Sequence, residues 1–204
     1  LFDFLGKIPQ EIIVACSGGK NSMAVLEFLS RTDRKIKIVH VDFRDEDSKE
    51  RVQFIKNAAK LYKMEVEIIT SSNRNNNEYF DNRHRELFEI LTKYSPKYVL
   101  VANNLNDVVL QYILNSIKCS PKLMQYRSKN IIRPYINTKQ DEFDYWIKAK
   151  NVGYFEGRSK KISQLDFIRK HMIENCYKIN PNLEEQILNE VTREFESFIS
   201  NRSR

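Results

Sequence analysis

The sequence is poor in the residues that punctuate or staple small folds. Its 204 residues hold five glycines, five prolines and three cysteines. The cysteines stand far apart, at 16, 119 and 176, with no CxxC, CxxH or HxxxH spacing. That excludes a disulfide framework and a Cys/His zinc site, and reads as the reduced thiols of a cytoplasmic protein. No apolar run approaches the ~20 residues that span a bilayer, so no membrane partner is expected. The opening Leu1-Phe2-Asp3-Phe4-Leu5 is too short and too acidic for a secretory leader. It does not begin with Met, which leaves room for residues upstream. A chain with 41% apolar and 30% charged residues is not a disordered tail either.

Charge is present in excess and in one place. The net +7 is carried by residues 118–178, where 14 Lys and Arg face 6 Asp and Glu. Residues 1–117 are nearly balanced, at 17 against 16, and residues 179–204 are acidic, at 3 against 5. A basic segment between neutral and acidic ones suits a polyanion, or is simply a solvated face.

Short apolar runs alternate with helical patterns. Strands are expected at Glu11–Ala15, Ile36–Asp42, Val66–Ile69 and Tyr98–Ala102, and helices at Ser22–Leu29, Ser48–Tyr62, Glu78–Tyr94 and Asp107–Ile117. Such alternation predicts an α/β fold, a parallel sheet with helices on both faces, whose ligands bind beyond the carboxyl ends of the strands. After residue 118 the pattern changes to a basic loop, a short extended piece at Ile131–Pro134, and helices at Lys139–Lys150, Leu165–Tyr177 and Asn182–Ser200. Thr138 with Asp141, and Asn182 with Glu185, are the expected caps. The division expected is 1–137 as the α/β domain with its basic loop, and 138–204 as a helical extension. Ile187, Val191, Phe195 and Phe198 would pack the last helix on the core or on a partner, a homodimer included.

Between the first strand and first helix stands Cys16-Ser17-Gly18-Gly19-Lys20-Asn21-Ser22. Paired glycines let backbone N–H groups close on an anion, and the helix N-terminus adds partial positive charge. The Walker A pattern fails, because Val14 stands where its first glycine belongs and Asn21 where its Ser or Thr would hold magnesium. The loop resembles instead the SGGxDS motif of the PP-loop, or N-type, ATP pyrophosphatases, with Asn21 replacing the aspartate.

From Glu11 to Pro181 the chain looks most like tRNA(Ile)-lysidine synthetases. His40-Val41-Asp42-Phe43-Arg44 and Ser48-Lys49-Glu50 match that family's second strand and following helix, with Phe43 departing at its second histidine. Arg85 matches one arginine of a helical R-x-x-R-Y. Asn103 to Gln111 stands where the family carries H-H-x-D-D-x-x-E-T, so that Asp107 survives and Leu110 does not. Ile132-Arg133-Pro134-Tyr135 echoes I-R-P-L, and Phe167 to Ile173, with Arg169 and Lys170, echoes F-x-R-N-x-I-R.

This resemblance implies ATP and Mg2+ as cofactors, with tRNA and free lysine as substrates. ATP is cleaved between its α and β phosphates, the wobble cytidine is adenylated, and lysine attacks it. Ser17, Gly18, Gly19, Lys20, Asn21, Ser22 and Val41 would hold the nucleotide, Val41 through its backbone, and Lys20 reads equally as a solvated side chain. Asp107 and Asn21 would be catalytic, with Asp107 the metal ligand or else a support for its helix. Arg85, Lys122, Arg127, Lys129, Arg133 and Arg169 would contact RNA. Tyr126, Tyr135, Tyr145, Trp146 and Tyr154 offer one or two stacking platforms, the rest being core. His40 is a site residue or a core histidine. Loss of acid at positions 21 and 110 leaves a second reading, a protein that binds nucleotide or RNA without turnover. An amidating or thiolating enzyme is the third.

Overall fold

The computed structural model describes residues 11–72, 80–94, 98–117, 119–120, 122–157, 171 and 173–200, with backbone alone at 80–84, 194–195 and 197–200. The first strand, β1 (Glu11–Ala15), is Ile12-Ile13-Val14 at its centre, buried on both faces, as a central parallel strand requires. β2 (Lys35–Asp42) and β3 (Glu65–Thr70) lie to one side of it. β4 (Val99–Leu100), β6 (Ile131–Ile132) and β5 (Arg127–Ser128) lie to the other. The order is β3-β2-β1-β4-β6-β5, parallel except for β5, which closes the edge antiparallel to β6. Val14 is thereby flanked by Ile38 and Leu100.

Alternation along β1 divides the core. Ile12 and Val14 face α1 (Lys20–Leu29), α2 (Ser48–Leu61) and α4 (Leu105–Ile117) through Leu26, Ile55 and Val109. Ile13 faces Leu91 of α3 (Phe80–Tyr94) on the opposite side. Leu26, Ile55 and Val109 are fully buried, and truncating Leu26 to Ala would cost about 2–5 kcal/mol. Three further helices follow: α5 (Gln140–Lys150), α6 (Glu174–Ile179) and α7 (Leu183–Ser200). Phe143, Ile147, Ile187 and Val191 of α5 and α7 join the same core as β1 and α4. The seam between α1 and α5 is closed by Phe28 against Trp146, 5.9 Å between ring centres, and by the Trp146 Nε1–H donating to the buried Glu27 at 2.6 Å.

Several helix starts differ from expectation by one to three residues. Extended Gly19, not Ser22, caps α1, and the Ser22 hydroxyl donates back to the Gly19 carbonyl at 2.9 Å. In α4 the Asp107 N–H donates to Asn104 Oδ1 (3.1 Å) while Asp107 Oδ2 accepts the Asn104 N–H (3.2 Å), so the helix begins at Leu105. In α5 Glu142, rather than Asp141, reaches back to the Lys139 N–H at 2.8 Å, moving the cap from Thr138 to Lys139. Of the helix expected over Leu165–Tyr177 only its end falls among the described residues. Arg169, Lys170 and Phe167, and the side chains of Phe195 and Phe198, lie outside them.

From β1 the chain moves outward through β2 to β3, then crosses back beyond β1 to β4. The crevice between the carboxyl ends of β1 and β4 is therefore the switch point of the sheet.

Candidate nucleotide site

The loop leaving β1 fills one wall of that crevice. Gly18 has φ +81, a conformation that disfavours any side chain, and a Cβ there would stand in van der Waals contact with Phe155 Cβ at 3.4 Å and Ile55 Cγ1 at 3.5 Å. The loop is tied from beneath. His40 Nδ1 contacts the Cys16 carbonyl at 2.7 Å, and the Gly18 N–H donates to Cys16 Sγ at 3.3 Å. Ser17 and Ser22 hydroxyls lie 3.2 Å apart, and the Gly19 N–H faces Ser17 Oγ at 3.3 Å. Burial pushes the Cys16 thiol up and the His40 ring down from their ordinary pKa values. Both act as neutral parts of the loop's floor, and the thiol is unsuited to nucleophilic attack.

Val41 stands beside this loop, near the end of β2. The Cys16 N–H donates to the Val39 carbonyl at 2.9 Å, and the Ser71 N–H to the Asp42 carbonyl at 2.8 Å. Alternate residues of β2 thus address β1 and β3, and Val41 presents its N–H and C=O on the β1 side. There the chain has already turned off into the glycine loop, and Val41 itself is buried.

The opposite wall is made of amides. Gln140, first residue of α5, donates from Nε2 to Asn21 Oδ1 (3.0 Å) and to Asp144 Oδ1 (3.2 Å). Its Oε1 accepts from Asn104 Nδ2 (2.7 Å) and Asn21 Nδ2 (3.3 Å), and its backbone N–H donates to Asn106 Oδ1 (3.1 Å). Lys20 leans on Asp144 at 3.4 Å and lies over the Tyr154 ring at 5.4 Å, so it is neither free in solvent nor turned into the loop. Asp107 joins Asn103 Nδ2 to the Asn104 cap, at 3.3 Å.

The residues suit a phosphate group: the N-terminus of α1 and the exposed Ser17 hydroxyl stand at one point, while the Gly18 and Gly19 N–H groups are engaged within the loop by Cys16 Sγ and Ser17 Oγ. For magnesium the donors are fewer. No cluster of three acidic, His or Cys ligands occurs among the described residues, and Asn21 and Leu110 contribute no charge. Asp107 would be its protein carboxylate, with phosphate oxygens completing the shell, an arrangement magnesium accepts.

The residues expected to meet RNA separate into groups. Lys122, Arg127 and Lys129 are exposed along the basic loop, and Arg85 is exposed on α3. Arg127 stacks over Tyr98 at 4.8 Å and its Nε–H donates to the Lys129 carbonyl at 3.0 Å. Arg133 is different. It is 6% exposed, donates to the Gln125 carbonyl at 3.0 Å and lies over Phe88 at 5.1 Å, which makes it a strut of the loop rather than a surface contact. Tyr126 is buried and Tyr135 packs edge-on to Phe143 at 5.6 Å, so both are core, whereas Tyr145 is exposed. Gln140, Asp144, Asn104 and Phe155 were not singled out from the sequence. The run of Asn103, Asn104 and Asn106 in a stretch expected to be acidic was the available sign.

A family model described as the PP-loop domain matches residues 4–176. The tRNA(Ile)-lysidine synthase of Mesoplasma florum is 29% identical over 158 residues, covering 70% of this chain and 40% of that protein. That of Thermosipho africanus is 27% identical over 214 aligned positions, covering 94% of this chain and 50% of that protein. The chain thus spans half or less of the length of these relatives. Among solved structures, the U34-tRNA thiolase NcsA of Methanococcus maripaludis superposes with a TM-score of 0.74 at 16% identity, covering 93% of this chain and 74% of that one. At that identity the likeness is one of fold. With the family model running through the sheet, the glycine loop and both walls of the crevice, the chain belongs to the PP-loop family.

Proposed function

We propose that the protein is an ATP-dependent tRNA-modifying enzyme. Its reaction is the adenylation of the wobble cytidine of tRNA(Ile), followed by displacement of AMP by free lysine. The observation that carries this reading is the glycine loop, held at φ +81 at the switch point of the sheet. The exposed Lys122, Arg127 and Lys129 give a backbone-binding surface, and the tRNA-modifying relatives supply the substrate class. In the reaction the chain's own groups chiefly position and neutralise. Loop N–H groups hold the phosphates, and the Val41 backbone orients the base. Asp107 would hold magnesium, which shields the charge of the departing pyrophosphate.

The Asn21–Gln140 amide pair favours a second reading, binding of nucleotide and RNA without turnover. It puts a neutral contact where the family motif has a carboxylate. Incubation with ATP, magnesium, labelled lysine and a tRNA pool separates the two. Label in tRNA with matching AMP and pyrophosphate is the expected result. ATP and tRNA binding with no pyrophosphate release would establish the second reading. The thiolating alternative draws no support from Cys16, whose thiol is buried in the loop floor.

A further inference from the structure

Beyond α5, residues Val152 to Gly157 return to the glycine loop. The Phe155 N–H donates to the Gly18 carbonyl at 2.8 Å. Its ring is seated between Phe54, 6.0 Å away, and the Arg51 guanidinium at 5.5 Å, and Arg51 is itself fixed by Asp45 at 2.8 Å. Two residues on, a Cβ on Gly157 would come within 2.9 Å of Asp47 Oδ2, so this segment lies tightly against the start of α2.

We infer that Phe155 is a positioning residue for the phosphate loop, acting through its backbone N–H. A trans peptide is planar, with its carbonyl and the following N–H pointing in opposite directions. Fixing the Gly18 carbonyl toward Phe155 therefore fixes the Gly19 N–H on the other side, where it donates to the exposed Ser17 hydroxyl at 3.3 Å. Gly18 has no side chain, so the peptide between Gly18 and Gly19, which turns about ψ of Gly18 and φ of Gly19, meets little steric resistance unless a partner holds it. Cys16 and His40 hold the loop below Gly18; the peptide between Gly18 and Gly19 is held at its carbonyl by Phe155, from outside the loop, and at its N–H by Ser17 Oγ. A Gly19 N–H and Ser17 hydroxyl set in place before the anion arrives reduce the reorganisation that binding requires. The inference rests on the nucleotide-binding reading of this loop.

Calorimetric titration of ATP, pyrophosphate and adenosine, with thermal melts alongside, tests it. Phe155→Pro removes the N–H and leaves an apolar ring. It should weaken ATP and pyrophosphate by about 10-fold or more, as loss of one aligned donor to a charged group implies. Adenosine, which makes no phosphate contact, should change less than about twofold. Phe155→Leu keeps the N–H and should recover most of the lost affinity. A folded Phe155→Pro protein that binds ATP like wild type, or that loses ATP and adenosine alike, overturns the inference. Should that variant not fold, Phe155→Gly, which keeps the N–H but unseats it, must still show a phosphate-selective loss, and an unselective one overturns the inference equally. Wild type that binds neither ATP nor pyrophosphate removes the nucleotide-binding reading itself, and this inference with it.

Discussion

Asn21 and Gln140 meet amide to amide across the seam between α1 and α5, each donating to the other, at 3.3 and 3.0 Å. The pairing uses both ends of both amides, and Gln140 Oε1 is further committed to Asn104 at 2.7 Å.

Restoring a carboxylate at 21 therefore has two opposed effects. Asn21→Asp sets an acceptor against Gln140 Oε1 and should lower stability by about 1 kcal/mol at neutral pH. The opposed oxygens exist only while the new carboxyl is ionised, so the loss should shrink as the pH falls toward the ordinary carboxyl range of about 4. The same carboxylate adds a magnesium ligand beside the loop and should raise pyrophosphate release. Denaturant melts at two pH values and a pyrophosphate assay read the effects separately. A variant as stable as wild type at neutral pH would show that the amide pairing does not matter.

Asp107 serves a helix cap whatever else it does. Asp107→Ala should cost about 1 kcal/mol, because the Asn104 N–H and Asn103 Nδ2 lose their carboxylate acceptor while the backbone N–H at 107 keeps its bond to Asn104 Oδ1. With the proposed metal role it should also abolish turnover in the folded fraction. Turnover per folded molecule equal to wild type would leave Asp107 as a cap alone.

His40 is buried, and burial depresses its pKa below the ordinary histidine value. The unfolded chain then binds a proton that the folded one resists. Stability is full above the unfolded-state pKa of about 6.5 and falls as the pH drops below it. His40→Asn retains a donor for the Cys16 carbonyl and cannot titrate. The midpoint of urea unfolding should fall between pH 7.5 and 5.5 for wild type, and by less for the variant. Equal falls would place the titrating group elsewhere.

Arg133 and the loop cations should behave differently toward tRNA. Neutralising Lys122, Arg127 and Lys129 together should flatten the dependence of log K on log salt by as much as about 2 units, if all three meet phosphate. Arg133→Ala should lower the melting temperature and leave that slope alone, because its guanidinium is internal. A reduced slope for Arg133→Ala alone would contradict its assignment as a strut.

Thiol reactivity should follow burial. Iodoacetamide should label exposed Cys119 in the folded protein and spare Cys16 until denaturant is added. Rapid native labelling of Cys16 would reopen the thiol-based alternative.

What the sequence made legible was local. The β-branched run of β1 and the glycine pair that follows sufficed to locate the strand and the glycine loop after it. The tertiary partners could not be read that way. Gln140 lies 119 residues from Asn21, and nothing in the pattern around Thr138 marks it. Arg133 stands in a basic segment and read as a surface cation, yet its burial depends on Phe88 of α3, to which no periodicity connects it. Ser22 read as a cap because its residue type favours that position, whereas Gly19, already extended for the turn, occupies it.

Trp146 is the single tryptophan of the chain. Its indole N–H is held by Glu27 on the helix that begins at the phosphate loop, and the Lys150 ammonium lies 5.3 Å over its ring. The protein thus has a built-in optical probe at the junction of the loop helix and α5. Any change that slides these helices moves the Glu27 carboxylate relative to the indole while Lys150, on the same helix as Trp146, stays with it, and the emission can be followed on the unlabelled wild type.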